Sequence, residues 1–179
     1  MERFSIITGD ITQSDAEAIV NAANTTLLGG SGVDGAIHKA AGPELLAECR
    51  TLHGCETGQA KLTGGYRLRA QYVLHTPGPV WQGGGHGEAA LLASCYRSCL
   101  TLAAERDIRT VDFPSISTGV YGYPLPQAAA VALKAIMDFL AEHDLPWRVR
   151  MVCHTEAAAQ VYRQTWNFWY AESKADRML

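Results

Sequence analysis

The chain is 179 residues long, with 47% apolar and 18% charged residues, which suits one domain built around one substantial core. A net charge of -3 speaks against a basic surface for nucleic acid, and no run approaches the roughly eighteen apolar residues of a membrane helix. Five cysteines, an odd count, and no apolar leader after Met1 to Phe4 predict reduced thiols and a cytoplasmic setting.

In chain order, strand-like and helix-like segments alternate, which indicates an α/β layered domain. Phe4 to Thr8 and Ala18 to Ala22 read as strands. Val33 to Leu52 reads as helix, broken near Gly42-Pro43, where proline removes a donor and clashes with the preceding turn. Ala60 to Thr63 and Tyr72 to His75 are strand-like. Glu88 to Glu105 is helical, with Leu92, Cys95, Cys99 and Leu102 on one face at spacings of three and four. Thr110 to Pro114 is a short strand, and Pro126 to Glu142 a helix with Ala128, Ala132, Ile136 and Phe139 facing inward. Arg148 to Cys153 is a buried strand, and a helix from Glu156 to about Trp166 closes the fold. The reading is a single domain over residues 1–170, with a short tail at 171–179.

Three Gly-, Asn- and Asp-rich segments each follow a strand. In an open α/β sheet, ligands bind outside the carboxyl ends of the strands, so these segments are candidate ligand loops on one rim. Gly9-Asp10-Ile11-Thr12 is the first. A carboxylate there can accept from an exocyclic amine such as that of adenine. Taken alone, Asp10 reads better as a turn cap.

The second segment runs from Asn21 and Asn24, at the end of a buried apolar run, through Gly29, Gly30 and Gly32 into a helix start. Free N–H groups at that start can meet an anion. It is no P-loop, since no Gly-Lys-Ser/Thr follows. Asp34, in the first helical turn, either complements the helix dipole or serves a water beside a ligand, by orienting it or by deprotonating it. The third segment, Pro114 to Pro124, offers Ser117, Thr118, Gly119 and the amides around Val120 to a diphosphate, with Tyr121 placed to cover a sugar.

Taken together, the runs Gly9 to Thr12, Ile19 to Asn24, Gly29 to Gly42 and Ser117 to Pro124 resemble the macrodomain family, in its MacroD-like hydrolase branch. Thr57 to Thr63 and His75 to Pro79 look like that branch too, so the similarity runs from about Thr8 to Tyr162. The resemblance implies a three-layer α/β/α fold around a mixed sheet, with ADP-ribose as ligand. It places adenine at Asp10 and Ile11, phosphates at Gly32 and Val33, and the distal ribose by Asn24 and Asp34. Ser117 to Tyr121 would enclose the diphosphate and the sugar, and Asn21 belongs to the same binding set. It further implies a hydrolase that removes the acyl group of O-acetyl-ADP-ribose, or releases ADP-ribose from acidic side chains of modified proteins, without metal or cofactor. Asp34 and Asn24 would carry the chemistry. His154-Thr155 departs from the aromatic and acidic pair usual at the adenine end, and Pro77 and Arg69 depart at positions expected to lie away from ligand.

Cys49, His53 and Cys55 lie close enough together for a zinc site, but their spacing matches no standard ligand pair, and no metal is predicted. His38 reads as a helix residue packed under the glycine loop, His75 as the end of a buried strand, and Cys95 and Cys99 as core. The rival to the hydrolase is a reader module that binds ADP-ribose without turnover. A reader has no need of the acid at position 34.

Overall fold

Alternation along the strands sets the architecture. In β2 (Ala18–Ala23), Ala18 and Val20 join one apolar cluster while Ile19 and Ala23 join another. A strand buried on both faces needs helices on both sides. In the computed structural model, which describes residues 3–176 and the side chains of 3–169, the sheet has six strands. Besides β2 these are β1 (Phe4–Thr8), β3 (Lys61–Gly64), β4 (Tyr72–Pro77), β5 (Thr110–Phe113) and β6 (Arg148–Cys153). Their spatial order is β1-β6-β5-β2-β4-β3. Every pairing is parallel except β3 with β4, so the sheet is mixed.

Helices α1 (Gly32–Ala41) and α2 (Pro43–Arg50) cover one face, through Ile37, Ala41, Leu45 and Cys49. Helices α3 (Glu88–Glu105), α4 (Leu125–Glu142) and α5 (Glu156–Asp176) cover the other. Leu92, Cys95 and Cys99 of α3 and Ala128, Ala132, Ile136 and Phe139 of α4 are buried there, while Leu102 is half-buried. The result is the three-layer α/β/α arrangement.

The break between α1 and α2 falls at Gly42, whose φ of 87° lies in the left-handed region, and Pro43 opens α2. The last helix differs from expectation. It continues past Trp166 to Asp176, so the segment set apart as a tail is helical as far as that residue. After Trp166 the aromatic residues Phe168, Trp169 and Tyr170 stand in succession without helical spacing, so pattern alone could not extend it.

At the sheet centre, Arg150 forks onto Asp112, with Nε and Nη2 each 2.8 Å from a carboxylate oxygen. Ser14 Oγ donates to the same carboxylate at 2.6 Å. The turn that follows Asp10 is thereby tied to β5 and β6.

Candidate functional site

Five parallel strands deliver their carboxyl ends to one edge of the sheet. The segments leaving β1, β2, β4, β5 and β6 enclose a cleft of about 820 Å³. Its walls come from Gly9 to Thr12, Asn24 with Gly30 to Asp34, Gly78, Ser117 to Tyr121, and Val152 to Thr155. The structure thus brings Asp10, Ile11, Asn24, Gly32, Val33, Asp34, Ser117, Thr118, Gly119, Val120 and Tyr121 to a single cavity.

Asn21 is the exception. It is fully buried and does not line the cleft. Its Nδ2 donates to Asp34 Oδ1 at 2.8 Å and lies 3.1 Å from His75 Nδ1. Its placement among ligand-binding residues is therefore corrected: the side chain is committed beneath the site. The asparagine pair could not be told apart by sequence, because a strand turns successive side chains to opposite faces and the register was unknown.

Asp34 sits in the first turn of α1, nearly buried. Besides Asn21, its Oδ1 faces His38 Nε2 at 3.4 Å, one helical turn on. Oδ2 lies on the side of Gly30 and Asn24: a Cβ on Gly30 would come within 3.0 Å of it and 3.5 Å of Asn24 Nδ2. Burial raises the pKa of Asp34, against the opposing pull of the Asn21 N–H and of His38. The carboxylate is a stronger base than a solvated aspartate.

Asn24 is partly occupied by its own loop. Its Oδ1 accepts from Thr26 Oγ1 at 2.6 Å and from Leu27 N at 3.1 Å, and Nδ2 donates to Gly29 O at 2.8 Å. An amide nitrogen carries two protons, so one N–H remains for the cleft. Asp10 likewise has two tasks. Oδ1 takes Thr12 N at 2.9 Å and Thr12 Oγ1 at 2.7 Å, which caps the short helical turn Ile11–Gln13 and lowers the Asp10 pKa. Its second oxygen is left for another donor.

Across the cleft, Ser117 holds a φ of 67° with its hydroxyl buried and without a hydrogen-bond partner among the described residues. Such strain in a non-glycine residue costs of order 1–3 kcal/mol and collects at functional loops. The loop is anchored from within by Tyr123 N to Ser117 O at 3.0 Å and from the neighbouring segment by Trp81 N to Tyr121 O at 2.9 Å. Thr118 spends its hydroxyl on Ser115, so this residue offers the cleft its backbone. Helix α1 opens opposite, and Ser31 makes no side-chain cap, so its first N–H groups are left for an anion.

A Macro domain family model matches residues 20–132. The chain belongs to the Macro domain family. It is 52% identical over 164 residues to a Salmonella gallinarum protein named O-acetyl-ADP-ribose deacetylase, covering 89% of this chain and 92% of that one. It is 53% identical over 179 residues to the Xenopus laevis ADP-ribose glycohydrolase MACROD2, covering 98% of this chain and 42% of that longer one. Among solved structures, a mutant of the Oceanobacillus iheyensis macrodomain with ADPR superposes with a TM-score of 0.90 at 43% identity, covering 93% of this chain and 92% of that one.

Two features of this macrodomain site escaped sequence reasoning. His75 and Thr63 form a buried polar cluster with Asn21, and Gly78 braces the Ser117 loop. Neither carries a local signal, since the partners come from segments well separated in sequence. His154 and Thr155 line the other end of the cleft, both exposed. The cysteines and histidine considered for zinc do not gather: among the described residues no three metal-binding side chains converge. Burial pushes the Cys49 thiol up to about 11, so it stands as a neutral, buried thiol.

Proposed function

We propose that this macrodomain holds ADP-ribose in the cleft and hydrolyses an ester on its distal ribose. Adenine would lie at Asp10 and Ile11, the diphosphate between the start of α1 and Ser117 to Tyr121, and the distal ribose beside Asn24 and Asp34. The observation that carries the reading is Asp34: a buried carboxylate at the cleft wall, with Oδ1 tied down and Oδ2 toward Gly30 and Asn24. Its raised pKa suits a proton acceptor.

In this mechanism a water beside Oδ2 loses its proton to Asp34 as its oxygen attacks the ester carbonyl. The acyl C–O bond breaks, the proton passes to the departing ribose oxygen, and O-acetyl-ADP-ribose yields acetate and ADP-ribose. The free Asn24 N–H would hold a ribose hydroxyl in place. ADP-ribose esters of acidic protein side chains present the same bond type and form a second substrate class. The name of the Salmonella relative supports the first class, and that of the Xenopus relative, ADP-ribose glycohydrolase, supports hydrolysis at ADP-ribose more generally. Five unpaired, buried thiols fit a reducing compartment, and we place the protein in the cytoplasm.

Turnover of O-acetyl-ADP-ribose by wild type and Asp34→Ala, with ADP-ribose affinity by calorimetry, tests the reading. Asp34→Ala should lose about 10²–10⁴ in rate, the usual contribution of a general base, while ADP-ribose still binds. Near wild-type turnover would remove Asp34 as the base. A wild type that binds ADP-ribose but cleaves neither ester class would be a reader.

A further inference from the structure

Beneath Asp34, three side chains from three strands make a continuous hydrogen-bonded line. Asn21 stands on β2, His75 on β4 and Thr63 on β3, and all three are fully buried. Asn21 Nδ2 meets both Asp34 Oδ1 at 2.8 Å and His75 Nδ1 at 3.1 Å. His75 Nε2 meets Thr63 Oγ1 at 2.9 Å, and Thr63 Oγ1 lies 3.1 Å from Gly64 O.

The polarity of this line follows from one atom. The amide atom beside the Asp34 carboxylate must be the donor, so it is the NH2 group. The same atom touches His75 Nδ1, so that nitrogen must accept, and the ring proton must sit on Nε2. Nε2–H then donates to Thr63, whose own proton goes to Gly64 O. Each assignment forces the next. Asn21 Oδ1 is left buried without a partner among the described residues, a cost that the opposite orientation would exceed by turning an oxygen onto the carboxylate.

We propose that Asn21, His75 and Thr63 are positioning residues that fix the Asp34 carboxylate for reaction, with Thr63 setting the His75 tautomer and His75 setting the face Asn21 shows to Asp34. The proposal rests on Asp34 being the reacting carboxylate. None of the three reaches the cleft, so each acts only through Asp34. The groups facing Asp34 include His38 from α1 and, farther off, Cys49 from α2, with His75 behind Asn21. Burial holds His75 neutral, with its pKa pushed down to about 3, so the line delivers a dipole and not a charge.

Thr63→Val keeps the shape of the side chain and removes the hydroxyl acceptor for Nε2–H, leaving only Cys49 Sγ, a weak acceptor 3.9 Å away. His75 is then free to carry its proton on Nδ1, which opposes the Asn21 NH2 group and favours the turned amide. Asp34 loses its donor and holds its proton to higher pH. Asn21→Leu removes the donor directly. Thr63→Ser restores the hydroxyl.

The test is the carboxyl-carbon NMR titration of Asp34, with nitrogen-labelled histidine spectra, in wild type and these three variants, alongside kcat and KM for O-acetyl-ADP-ribose and Kd for ADP-ribose. Wild-type His75 should be the Nε2–H tautomer. The Asp34 midpoint should rise in Asn21→Leu and Thr63→Val and return in Thr63→Ser. In Asn21→Leu and Thr63→Val kcat should fall about 10- to 100-fold, as misplacement of a reacting group does, with KM and Kd within about threefold of wild type, and Thr63→Ser should keep a near wild-type kcat. An Nδ1–H tautomer in wild type, an unmoved Asp34 midpoint in both variants, or a loss that falls on Kd instead of kcat would overturn the proposal. A wild type without turnover whose Asp34 midpoint still responds would leave the line standing and remove the hydrolase reading, so the two failures are distinguishable.

Discussion

Asp34 ionises against its surroundings, and that has a measurable cost. Burial favours the neutral acid, so the folded pKa lies above that of the unfolded chain. The stability contributed by such a group is present below the unfolded pKa, near 3.9, and is lost as pH rises through the folded pKa. Asn at this position can still accept from Asn21 and does not titrate. The Tm of Asp34→Asn should therefore exceed that of wild type by a margin that is larger at pH 7.5 than at pH 4; a margin that shrinks with rising pH would contradict the raised pKa. Asp10 shows the opposite sign, since two bonds from Thr12 stabilise its charge. Because Oδ1 caps and Oδ2 is spare, Asp10→Asn separates the two tasks. The amide oxygen keeps the cap, while its NH2 group faces an adenine amine donor to donor. A charged hydrogen bond contributes about 1.5–3 kcal/mol, so ADP-ribose should bind at least about tenfold more weakly while ribose 5-phosphate is spared. Equal loss for both ligands, or a large drop in Tm, would make Asp10 a structural cap alone.

Between residues and fold, the glycines show what pattern can and cannot reveal. The run Gly29, Gly30, Gly32 announces a loop, and its proximity to a helix start announces an anion site. Contacts that cross the sequence leave no such mark. A Cβ on Gly35 would sit 2.5 Å from Gly30 O, so the first turn of α1 is pressed against the glycine loop. A Cβ on Gly78 would meet Ser117 Oγ at 2.2 Å and Ile116 Cγ2 at 2.6 Å. The partner of Gly78 lies across the sheet rim, on the segment after β5, and only strand order places them together. Gly78→Ala should push Ser117 out of its strained conformation and cost about 1–3 kcal/mol of stability, the usual range for overpacking. ADP-ribose affinity should fall about tenfold or more, although residue 78 offers the ligand no side chain. Gly85→Ala is the control, because a Cβ there meets nothing within 4 Å. Calorimetry showing equal affinity in the two variants would mean that Gly78 does not brace the diphosphate loop.

For the molecule as a whole, alternating strand and helix patterns made the layered class legible, and the strand ends made the rim legible. Strand order, the antiparallel edge strand β3 and the buried line from Asn21 to Thr63 were not, because each depends on register between segments distant in sequence. That buried line also governs how the fold responds to acid. His75 is fully buried and neutral, with its pKa depressed to about 3, while an unfolded histidine titrates near 6.5. As pH falls below about 6.5 the unfolded chain takes up a proton that the fold refuses, so stability drops by up to about 1.4 kcal/mol per pH unit from this residue alone. By pH 4.5 that amounts to about 3 kcal/mol, a large share of the 5–15 kcal/mol typical of a domain. Carboxylates with lowered pKa values, such as Asp15 beside Arg150, lose their contribution only at lower pH. Acid destabilisation should therefore begin well before the carboxylates protonate. His75→Asn keeps an acceptor for Asn21 and removes the titrating ring. Urea unfolding from pH 7 to 4.5 should show a shallower slope for this variant than for wild type, even where its stability at pH 7 is lower. Parallel slopes would mean that the folded protein admits the proton, and that His75 is less sheltered than its place between β2 and β3 requires.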